Sequence, residues 1–531
     1  MPDAASPRQP GASPHPERVG PLGFYPPAAF RLTTGSDPDA ALTPSARFYF
    51  EREWIAVPQN GISSANYTRG VPPLRDLRKW TRGAAIRSDP PPLVWIGSPE
   101  RHDDARLSPD GRAINLAGIS RALALVPKLP LNGSYFDAHS LEFLAPRRLI
   151  VRGQLSSDTF TARSFWPADF LLDRTGLAAP DEARWRHVQE LREHMRRSAP
   201  AFAAQLLWER SPAARTPASR ATIAIVVNGA QGDDDEAWAG HFAVCTGRLE
   251  ADGHIDNLLV NNFYTLDSES EKGILAAPTP LDRYQADLNS GQSWYRPSWL
   301  LVATLASDRA AQLVQGAFDR MYQHFWRHQL VYHHATMNCT GISVDVLRTL
   351  GLPVAPRGPS SRMLAWLAIP RALVLQRSEE RARVAYEYLM EDQTRLLPAA
   401  AFEECAVLLL ALARGESLPR AQLGEWLAQD LESIALVDVP QIPSSRATGS
   451  PPVVTTEEYR RALPRDLSRM KIIPVPPRPF PTRLRDPDLI VQRARRSDVA
   501  FAVWCVLSIV GIPWLLWRTL RRPRPECQSP P

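Results

Sequence analysis

The sequence predicts an α+β protein whose central domain packs an antiparallel sheet on helices. Short apolar runs typical of strands recur between residues 221 and 305, and amphipathic helical patterns follow them between 307 and 351. An uncharged apolar run then extends from Val499 to Trp517 near the C-terminus. A bilayer core requires about 20 apolar residues in a helix. We therefore expect one C-terminal transmembrane helix in addition to the α+β body.

Changes in composition divide the 531 residues into seven segments. Pro, Ala, Ser and Gly dominate the beginning of the chain, and eleven prolines fall between 440 and 490, which predicts irregular or extended chain in both places. We expect a disordered lead at 1–45, a mixed strand-rich region at 46–200, the central domain at 201–358, a helical region at 359–438, a linker rich in Pro and Arg at 439–497, a transmembrane helix at 498–520 and a short tail at 521–531.

Charge and cysteine usage exclude some classes of protein. The net charge is +6, but the part from Thr455 onward carries fifteen Arg or Lys against seven Asp or Glu. The rest of the chain is therefore slightly acidic, which excludes a nucleic-acid-binding body and leaves a basic arm next to the bilayer. The cysteines are odd in number and scattered, so they make no disulfide framework. They are Cys245, Cys339, Cys405, Cys505 and Cys527.

The apolar run also guides the expected localisation. The first twenty residues lack the apolar core of a secretory signal. Arginines flank the run on both sides and nearly cancel as orientation signals. Because moving a large folded body across a membrane without a signal is difficult, we expect a single-pass protein of a bacterial inner membrane with its body in the cytoplasm.

The strands of the central domain follow in order along the chain. The second run, "HFAVCTGRL", alternates so that His241, Ala243 and Cys245 share one face. An Asp-Gly pair at Asp252 predicts a hairpin to the third run. The four runs are "ATIAIVVNG" (221–229), "HFAVCTGRL" (241–249), "NLLVNNFYTL" (257–266) and "SWLLVATL" (298–305).

Two helices follow these strands. The first has Ser307 as a cap candidate and continues as a long amphipathic pattern. The second begins near Cys339, shows apolar residues at i, i+4 and i+8, and stops at Gly351. Cys339 then lies in the first helical turn, where unpaired backbone N–H groups and the helix dipole favour a thiolate. That position suits a nucleophile.

The order of these elements resembles the circularly permuted papain-like cysteine hydrolases and acyltransferases, the group that includes lecithin–retinol acyltransferase. The matching pieces are "HFAVCTG" at 241–247 and "NCTGISVDVL" at 338–347, and the resemblance covers about 130 residues. It implies a permuted papain-like thiol hydrolase domain at 201–358. It also implies that Cys339 is the nucleophile and His241 its base.

The chemistry requires a third group that orients the imidazole. Pairing across the hairpin turn puts His241 opposite roughly Asn262 or Tyr264. Asn262 matches the amide that papain-like enzymes use at this place, and Asn261 takes the role if the register slips by one residue. Asn262 is our first choice. The backbone N–H of Cys339 would help to hold the oxyanion.

Other groups offer alternative sites. Cys245 lies four residues from His241 along a strand, about 13 Å by rise, and is expected in the core. His324 and His328 are spaced for a metal on one helix face, with His333 and His334 nearby, but no further ligand motif accompanies them. The acidic stretch 232–236 lacks a calcium-loop pattern. We therefore expect neither a metal site nor a cofactor.

The expected function is a membrane-tethered cysteine hydrolase or acyltransferase. It would cleave or transfer an amide or ester acyl group through an acyl-Cys339 intermediate. By the resemblance, the substrate is a lipid, a peptide or a cell-wall component. The alternative is a catalytically inactive papain-like fold that serves as a membrane-anchored binding or scaffold protein. Selective labelling of Cys339 by a thiol-reactive probe would separate the two.

Overall fold

The α+β class predicted from the sequence is confirmed by the computed structural model. Its central feature is an antiparallel sheet covered on both faces. The structure describes residues 20–33, 54–58, 68, 70–83, 95–126, 135–181, 183, 186–197, 199–231, 239–265, 276–326, 329–416, 421–445, 449–462 and 501–510.

The N-terminal part is rich in strands, in the region where strands were predicted. Three strands form a small antiparallel sheet, and five more close into a barrel in the order β4-β5-β6-β8-β7. The small sheet contains β1 (Phe30–Thr33), β2 (Trp54–Pro58) and β3 (Trp95–Gly97). The barrel contains β4 (Glu100–Leu107), β5 (Ala113–Leu116), β6 (Ile119–Leu125), β7 (Leu149–Ser156) and β8 (Thr159–Pro167).

The central sheet has seven strands, and every neighbouring pair in it is antiparallel. Its order is β14-β13-β12-β10-β15-β16-β9. Its strands are β9 (Ala203–Glu209), β10 (Arg220–Asn228), β12 (His241–Leu249), β13 (Leu259–Asn261), β14 (Pro278–Pro280), β15 (Ser298–Leu305) and β16 (Leu431–Val439). A separate two-stranded pair joins β11 (Ala230–Gln231) to β17 (Gly449–Ser450).

Helices occupy the connections and most of the region after β15. Short 3₁₀ turns and a π-helical turn at Arg371–Leu375 accompany them. The helices are α1 (Pro73–Gly83), α2 (Ala138–Leu144), α3 (Val188–Arg196), α4 (Leu281–Ala286), α5 (Arg309–Trp326), α6 (Cys339–Thr349), α7 (Arg362–Pro370), α8 (Glu379–Met390), α9 (Gln393–Leu396), α10 (Pro398–Ala413), α11 (Gln422–Asp430) and α12 (Thr456–Ala462).

The two faces of the central sheet contact different partners. Residues such as Ile225 and Val244 pack against α5, α6, α10 and α11 in one apolar core. The alternate residues, such as Val226 and Ala243, pack against the barrel in a second core. Successive side chains of a strand point to opposite faces, so a sheet covered twice must be apolar throughout. This explains why "ATIAIVVN" does not alternate.

Buried ion pairs join the barrel to the segment that follows β14. Arg152 of β7 contacts Asp282 at 2.7 Å, and both side chains are almost fully inaccessible to solvent. Arg163 of β8 contacts Asp287 at 3.0 Å. Buried charges are tolerated in proteins when they are paired, and here each arginine on the barrel faces an aspartate on the central domain.

The central domain extends beyond its expected limits of 201 and 358. Residues 359–438 were predicted to be helical, but β16 lies between β15 and β9 within the central sheet. The linker predicted from residue 439 is packed in its first part, where Ile442 and Val454 are buried. Part of the lead predicted to be disordered also packs, through Leu22 and Phe30.

The apolar run near the C-terminus is described only over 501–510, where it is helical and packs against α7 and α8. The remaining parts of the predicted transmembrane helix, 498–500 and 511–520, lie outside the described residues, as does the tail. Within the described ranges, no helix has the length and apolar character needed to span a membrane.

Candidate active site

Cys339 is the first residue of α6, in the helical turn where the sequence predicted it. The preceding Asn338 caps this helix, because its Oδ1 accepts a hydrogen bond of 2.7 Å from the Gly341 N–H. Its side-chain amide donates to the carbonyls of His334 and Leu396 at 2.9 and 3.1 Å. One side chain therefore fixes the start of α6 against the preceding loop and α9.

His241 is the first residue of β12, and its imidazole lies between a thiol and an amide. The ring Nε2 lies 2.7 Å from Oδ1 of Asn262, and since an amide oxygen can only accept, Nε2 carries the proton. The imidazole is also close enough to the Cys339 thiol to lower its pKa. With Nε2 engaged by Asn262, Nδ1 is the nitrogen that remains for the sulfur.

The register of the hairpin explains which asparagine faces the imidazole. Asn261 pairs with Val244, so one further residue brings Asn262 beside Ala243, on the face that carries His241. Asn261 points the other way, where its amide donates to the Val244 carbonyl at 3.0 Å and exchanges hydrogen bonds with Gln315. The structure therefore brings together Cys339, His241 and Asn262, and not Asn261.

The surroundings of Cys339 favour its ionised form. Burial raises the pKa of the thiol, but the charge and hydrogen bond of His241 lower it, together with a hydrogen bond from the Phe242 backbone. The pKa of Cys339 falls from 9.0 to about 7 as a result. Burial, with a smaller effect of Glu404, raises the pKa of Cys405 to about 12, and burial alone raises that of Cys245 further. At pH 7 about half of the Cys339 population would be thiolate, against a few per cent for an ordinary cysteine.

Buried polar and aromatic contacts fix the positions of His241 and Asn262. Tyr322 of α5 donates a hydrogen bond of 2.8 Å to the Asn262 carbonyl and stacks on Phe263 with ring centroids 4.3 Å apart. Tyr284 of α4 lies with its ring 6.3 Å from that of His241, and its hydroxyl donates to Asn228 at 2.5 Å. Asn228 is the residue directly opposite His241 in the sheet.

Cys339 lines a groove, and 5% of its surface is accessible. Five chain segments contribute to the walls, and the lining side chains bear no carboxylate, ammonium or guanidinium group. The lining residues are Ala239, Gly240, Tyr332, His334, Asn338, Cys339, Thr340, Tyr388, Leu396, Leu397, Pro398, Thr456 and Tyr459.

Several groove residues were not predicted from the sequence as site residues. His334 was considered only as a metal ligand, yet it lies in the groove beside Tyr332, with ring centroids 5.3 Å apart. Burial and the neighbouring His333 lower its pKa, which favours the neutral imidazole. Tyr388 and Tyr459 stack on each other with ring centroids 6.1 Å apart, and both line the groove. No local pattern indicates such pairs, because α8 and α12 are far apart in the chain.

The alternative sites considered from the sequence have other surroundings. Cys245 is completely buried in the core shared with the barrel. Both ring nitrogens of His324 are engaged, Nε2 by Asp76 at 2.8 Å and Nδ1 by Gln329 at 2.7 Å. In the described part of the chain, no three His, Cys, Asp or Glu side chains are grouped to hold a metal ion. His328 and the acidic stretch 232–236 lie outside the described residues.

Comparison with protein-family models gave no match, and comparisons with curated proteins and with solved structures gave no significant match either. A functional proposal for this chain therefore rests on the geometry and chemistry of its own residues.

Proposed function

We propose that this protein is a cysteine hydrolase or acyltransferase in which Cys339 is the nucleophile. The observation that supports the proposal most is the arrangement of thiol, imidazole and amide at a helix N-terminus that lines a groove, in which the imidazole lowers the pKa of the thiol and bonds to the amide. A nucleophile, a base and a group that orients the base are the components that thiol-dependent acyl transfer requires.

The proposed reaction proceeds in two stages. His241 takes the thiol proton while the sulfur of Cys339 attacks an amide or ester carbonyl, and the carbonyl becomes a tetrahedral oxyanion. The first turn of α6 presents N–H groups that lack intrahelical partners, so the backbone N–H of Cys339 is suited to bind that oxyanion. The intermediate collapses as His241 returns the proton to the leaving amine or alcohol, which leaves an acyl-cysteine.

In the second stage, His241 deprotonates water or another acceptor, which attacks the acyl-cysteine carbonyl. The carbon–sulfur bond then breaks, and the acyl group leaves as an acid or as a new ester or amide. Asn262 contributes throughout by holding Nε2–H, so that Nδ1 faces the sulfur. No step requires a metal or a cofactor.

The groove favours a neutral substrate. Its lining side chains are aromatic, aliphatic, amide or hydroxyl in type, and its one titratable imidazole, His334, has a lowered pKa. A charged group placed there would lose hydration without gaining an ionic partner. We therefore propose that the part of the substrate next to the scissile bond is uncharged, as in an acyl chain or a neutral amide.

The order of the site elements supports a permuted papain-like arrangement as the finer fold class. The base strand β12 and the amide after β13 precede the nucleophile helix α6, as the sequence resemblance implies. We further propose that residues 498–520 anchor the protein in a bilayer, with the body on the cytoplasmic side. The apolar run of the sequence supports that anchor.

Selective alkylation tests the proposed function. Full-length protein should react with a thiol-directed activity probe mainly at Cys339, and Cys339→Ala should lose the label. Cys405→Ala, which removes a buried thiol outside the site, serves as the matched control and should keep it. Peptide mapping of the labelled protein would locate the adduct.

Equal labelling of the wild type and Cys339→Ala would contradict the proposal. The proposal would also be contradicted if Cys339 of the wild type stayed unlabelled and the Cys339→Ala and His241→Ala variants both lost stability. That outcome favours the alternative, an inactive papain-like fold acting as a membrane-anchored scaffold.

A further inference from the structure

Exposed apolar side chains are concentrated in one small part of the molecule. Fourteen large hydrophobic side chains are exposed among the described residues, and eleven of them belong to α7, the π-helical turn after it, α8 or the helix at 501–510. Contiguous exposed apolar patches on soluble proteins commonly mark an interaction surface. The eleven residues, here called the hairpin face, are Met363, Leu364, Leu367, Val374, Leu375, Val384, Val503, Val506, Leu507, Ile509 and Val510.

Helix α7 and the turn after it carry apolar residues on two sides, and the outer side belongs to the hairpin face. Ala365, Ile369 and Ala372 are buried, and the last two pack in one cluster with Ala382 of α8 and Phe501. On the opposite side Met363 is 70% exposed and Leu375 is 76% exposed. A helix at the surface of a soluble domain normally carries polar residues on its outer face. Apolar residues on both sides indicate that a second apolar environment covers the outer one.

The helix at 501–510 connects this surface to the apolar run of the sequence. Its Phe501 and Trp504 pack on the ring of Tyr386 in α8, with centroids 5.8 and 5.7 Å apart. Trp504 also meets Trp366 of α7 edge-on at 5.7 Å. The apolar sequence continues past residue 510 as far as Trp517. The hairpin of α7 and α8 therefore lies alongside the first half of the run.

Arginines outnumber glutamates beside the hairpin face, where Glu379 and Glu380 are also exposed. Residues 362–390 carry five arginines and three glutamates, and Arg371 and Arg377 are exposed. Arg383 lies over the ring of Phe501 at 4.8 Å. Arginines beside exposed Leu, Val and Met side chains are typical of helices that lie in the interface of an anionic bilayer.

We propose that the hairpin face rests on an anionic phospholipid bilayer, with the outer side of α7 inserted at the level of the headgroups. This contact extends the membrane surface beyond the apolar run, because α7, the π-helical turn and α8 supply the other six residues of the hairpin face. The hairpin is also connected to the groove, because α8 carries Tyr386 next to the helix at 501–510 and Tyr388 in the groove wall.

Depth-dependent quenching in full-length protein tests the proposal. A fluorescent amino acid is incorporated at Met363 or Leu375, and at Ile119 of the barrel as a control, since Ile119 is also exposed, at 55%. The protein is reconstituted into vesicles of phosphatidylcholine and phosphatidylglycerol with brominated acyl chains. Emission at 363 and 375 should fall by roughly half, because interfacial helices sit about 5–10 Å into the headgroup boundary, and emission at 119 should be unchanged.

A matched substitution gives a second readout. Leu375→Glu should reduce the quenching at Met363, whereas Ile119→Glu should leave it unchanged. Quenching at 363 and 375 no greater than at 119 would overturn the proposal. The proposal would also be overturned if the emission depended on protein density and recovered on dilution with unlabelled protein. That result would assign the hairpin face to a second copy of the chain. The readout is independent of thiol chemistry, so its failure is distinguishable from a failure of the proposed function.

Discussion

The ionisation of Cys339 is decided by two opposing effects of its surroundings. Burial disfavours the thiolate, because a charge loses hydration in a medium of low dielectric constant. The imidazole of His241 and the Phe242 backbone favour it, and their effect is the larger one. The helix N-terminus acts in the same direction. The reactive state of this cysteine therefore depends on contacts with a strand that precedes it by almost a hundred residues.

The rate of alkylation should follow this balance. For wild-type protein, the rate at Cys339 should rise with pH through a midpoint near 7, because the pKa of the thiol is about 7. In His241→Ala the burial effect remains while the imidazole is lost, so the midpoint should move upward. Iodoacetamide labelling followed by mass spectrometry from pH 5 to 10 measures both midpoints. An unchanged midpoint in His241→Ala would show that the imidazole does not act on the thiol.

The amide of Asn262 should affect turnover more than stability. Asn262→Ala removes the acceptor for Nε2–H of His241 and allows the imidazole to change tautomer. A buried hydrogen bond left without its partner costs about 1–3 kcal/mol, which corresponds to roughly 5–150-fold in kcat if the cost falls on the transition state. Turnover of an activated ester measures kcat, and thermal unfolding measures stability.

Asn261→Ala is the matched control for that substitution. Asn261 is an equally buried asparagine, but it bonds to Val244 and Gln315 instead of the imidazole. This variant should lose stability while its pH profile of kcat stays like that of the wild type. A larger loss of kcat in Asn261→Ala than in Asn262→Ala would reverse the assignment.

The positions of the three candidate site residues follow from the sequence, whereas the groove does not. Cys339 stands at a recognisable helix start, His241 begins a strand, and Asn262 follows from pairing across a hairpin. Each of these depends on local patterns and one short-range register. Tyr388 and Tyr459 line the groove only because α8 and α12 meet above α6. Contacts between such helices depend on packing between segments that are distant in the chain, and local residue patterns do not predict that packing.

At the scale of elements, the start of α6 is set by its cap. Asn338→Ala should remove the hydrogen bonds to Gly341, His334 and Leu396 together. Loss of an Asn cap costs about 0.5–2 kcal/mol. We also expect slower labelling of Cys339, because the first turn would fray and the thiol would move away from His241. Urea unfolding and the labelling rate at pH 7 measure the two effects.

The cap of α7 offers a comparison at a distance from the site. The Ser361 hydroxyl accepts from the Leu364 N–H at 3.1 Å, so Ser361→Ala also removes a cap. It should lower stability by a similar or smaller amount and leave the labelling rate of Cys339 unchanged. Equal slowing of labelling in both variants would mean that the Asn338 effect reflects general destabilisation.

The strand β16 shows why some elements were misread. Its sequence, "LESIALVDV", follows directly on the helical pattern of α11, and a short apolar run does not by itself distinguish a strand from a buried helix. It forms a strand because it pairs with β15 on one side, where Leu300 lies opposite Val437, and with β9 on the other side. Both partners come from segments more than a hundred residues earlier. Tertiary pairing has therefore overridden the local preference.

For the whole molecule, the central sheet is a layer between helices and the barrel. The site lies at the end of this layer, where α6 supplies Cys339 from the helix side and His241, the first residue of β12, lies on the strand face that also carries Ala243. The barrel side is joined through apolar packing and through the pairs of Arg152 with Asp282 and Arg163 with Asp287. The barrel supplies no groove residue. The barrel contributes to the site indirectly, because it packs in one core with α4 and Tyr284.

The last prediction concerns this junction. Arg152→Met should leave the Asp282 carboxylate buried without its ionic partner, and breaking a buried pair on one side commonly costs about 3–5 kcal/mol. The double variant Arg152→Met with Asp282→Leu removes both charges and should regain most of that loss, because replacing a buried pair by apolar groups is often neutral. Arg121→Met is the control: Arg121 faces the mostly exposed Asp158, and a surface pair contributes only about 0–1 kcal/mol. Urea unfolding of the four proteins measures the differences in free energy. If the double variant were as unstable as Arg152→Met alone, the cost would come from lost packing of the arginine stem, and the ion pair would not be what holds the barrel to the sheet.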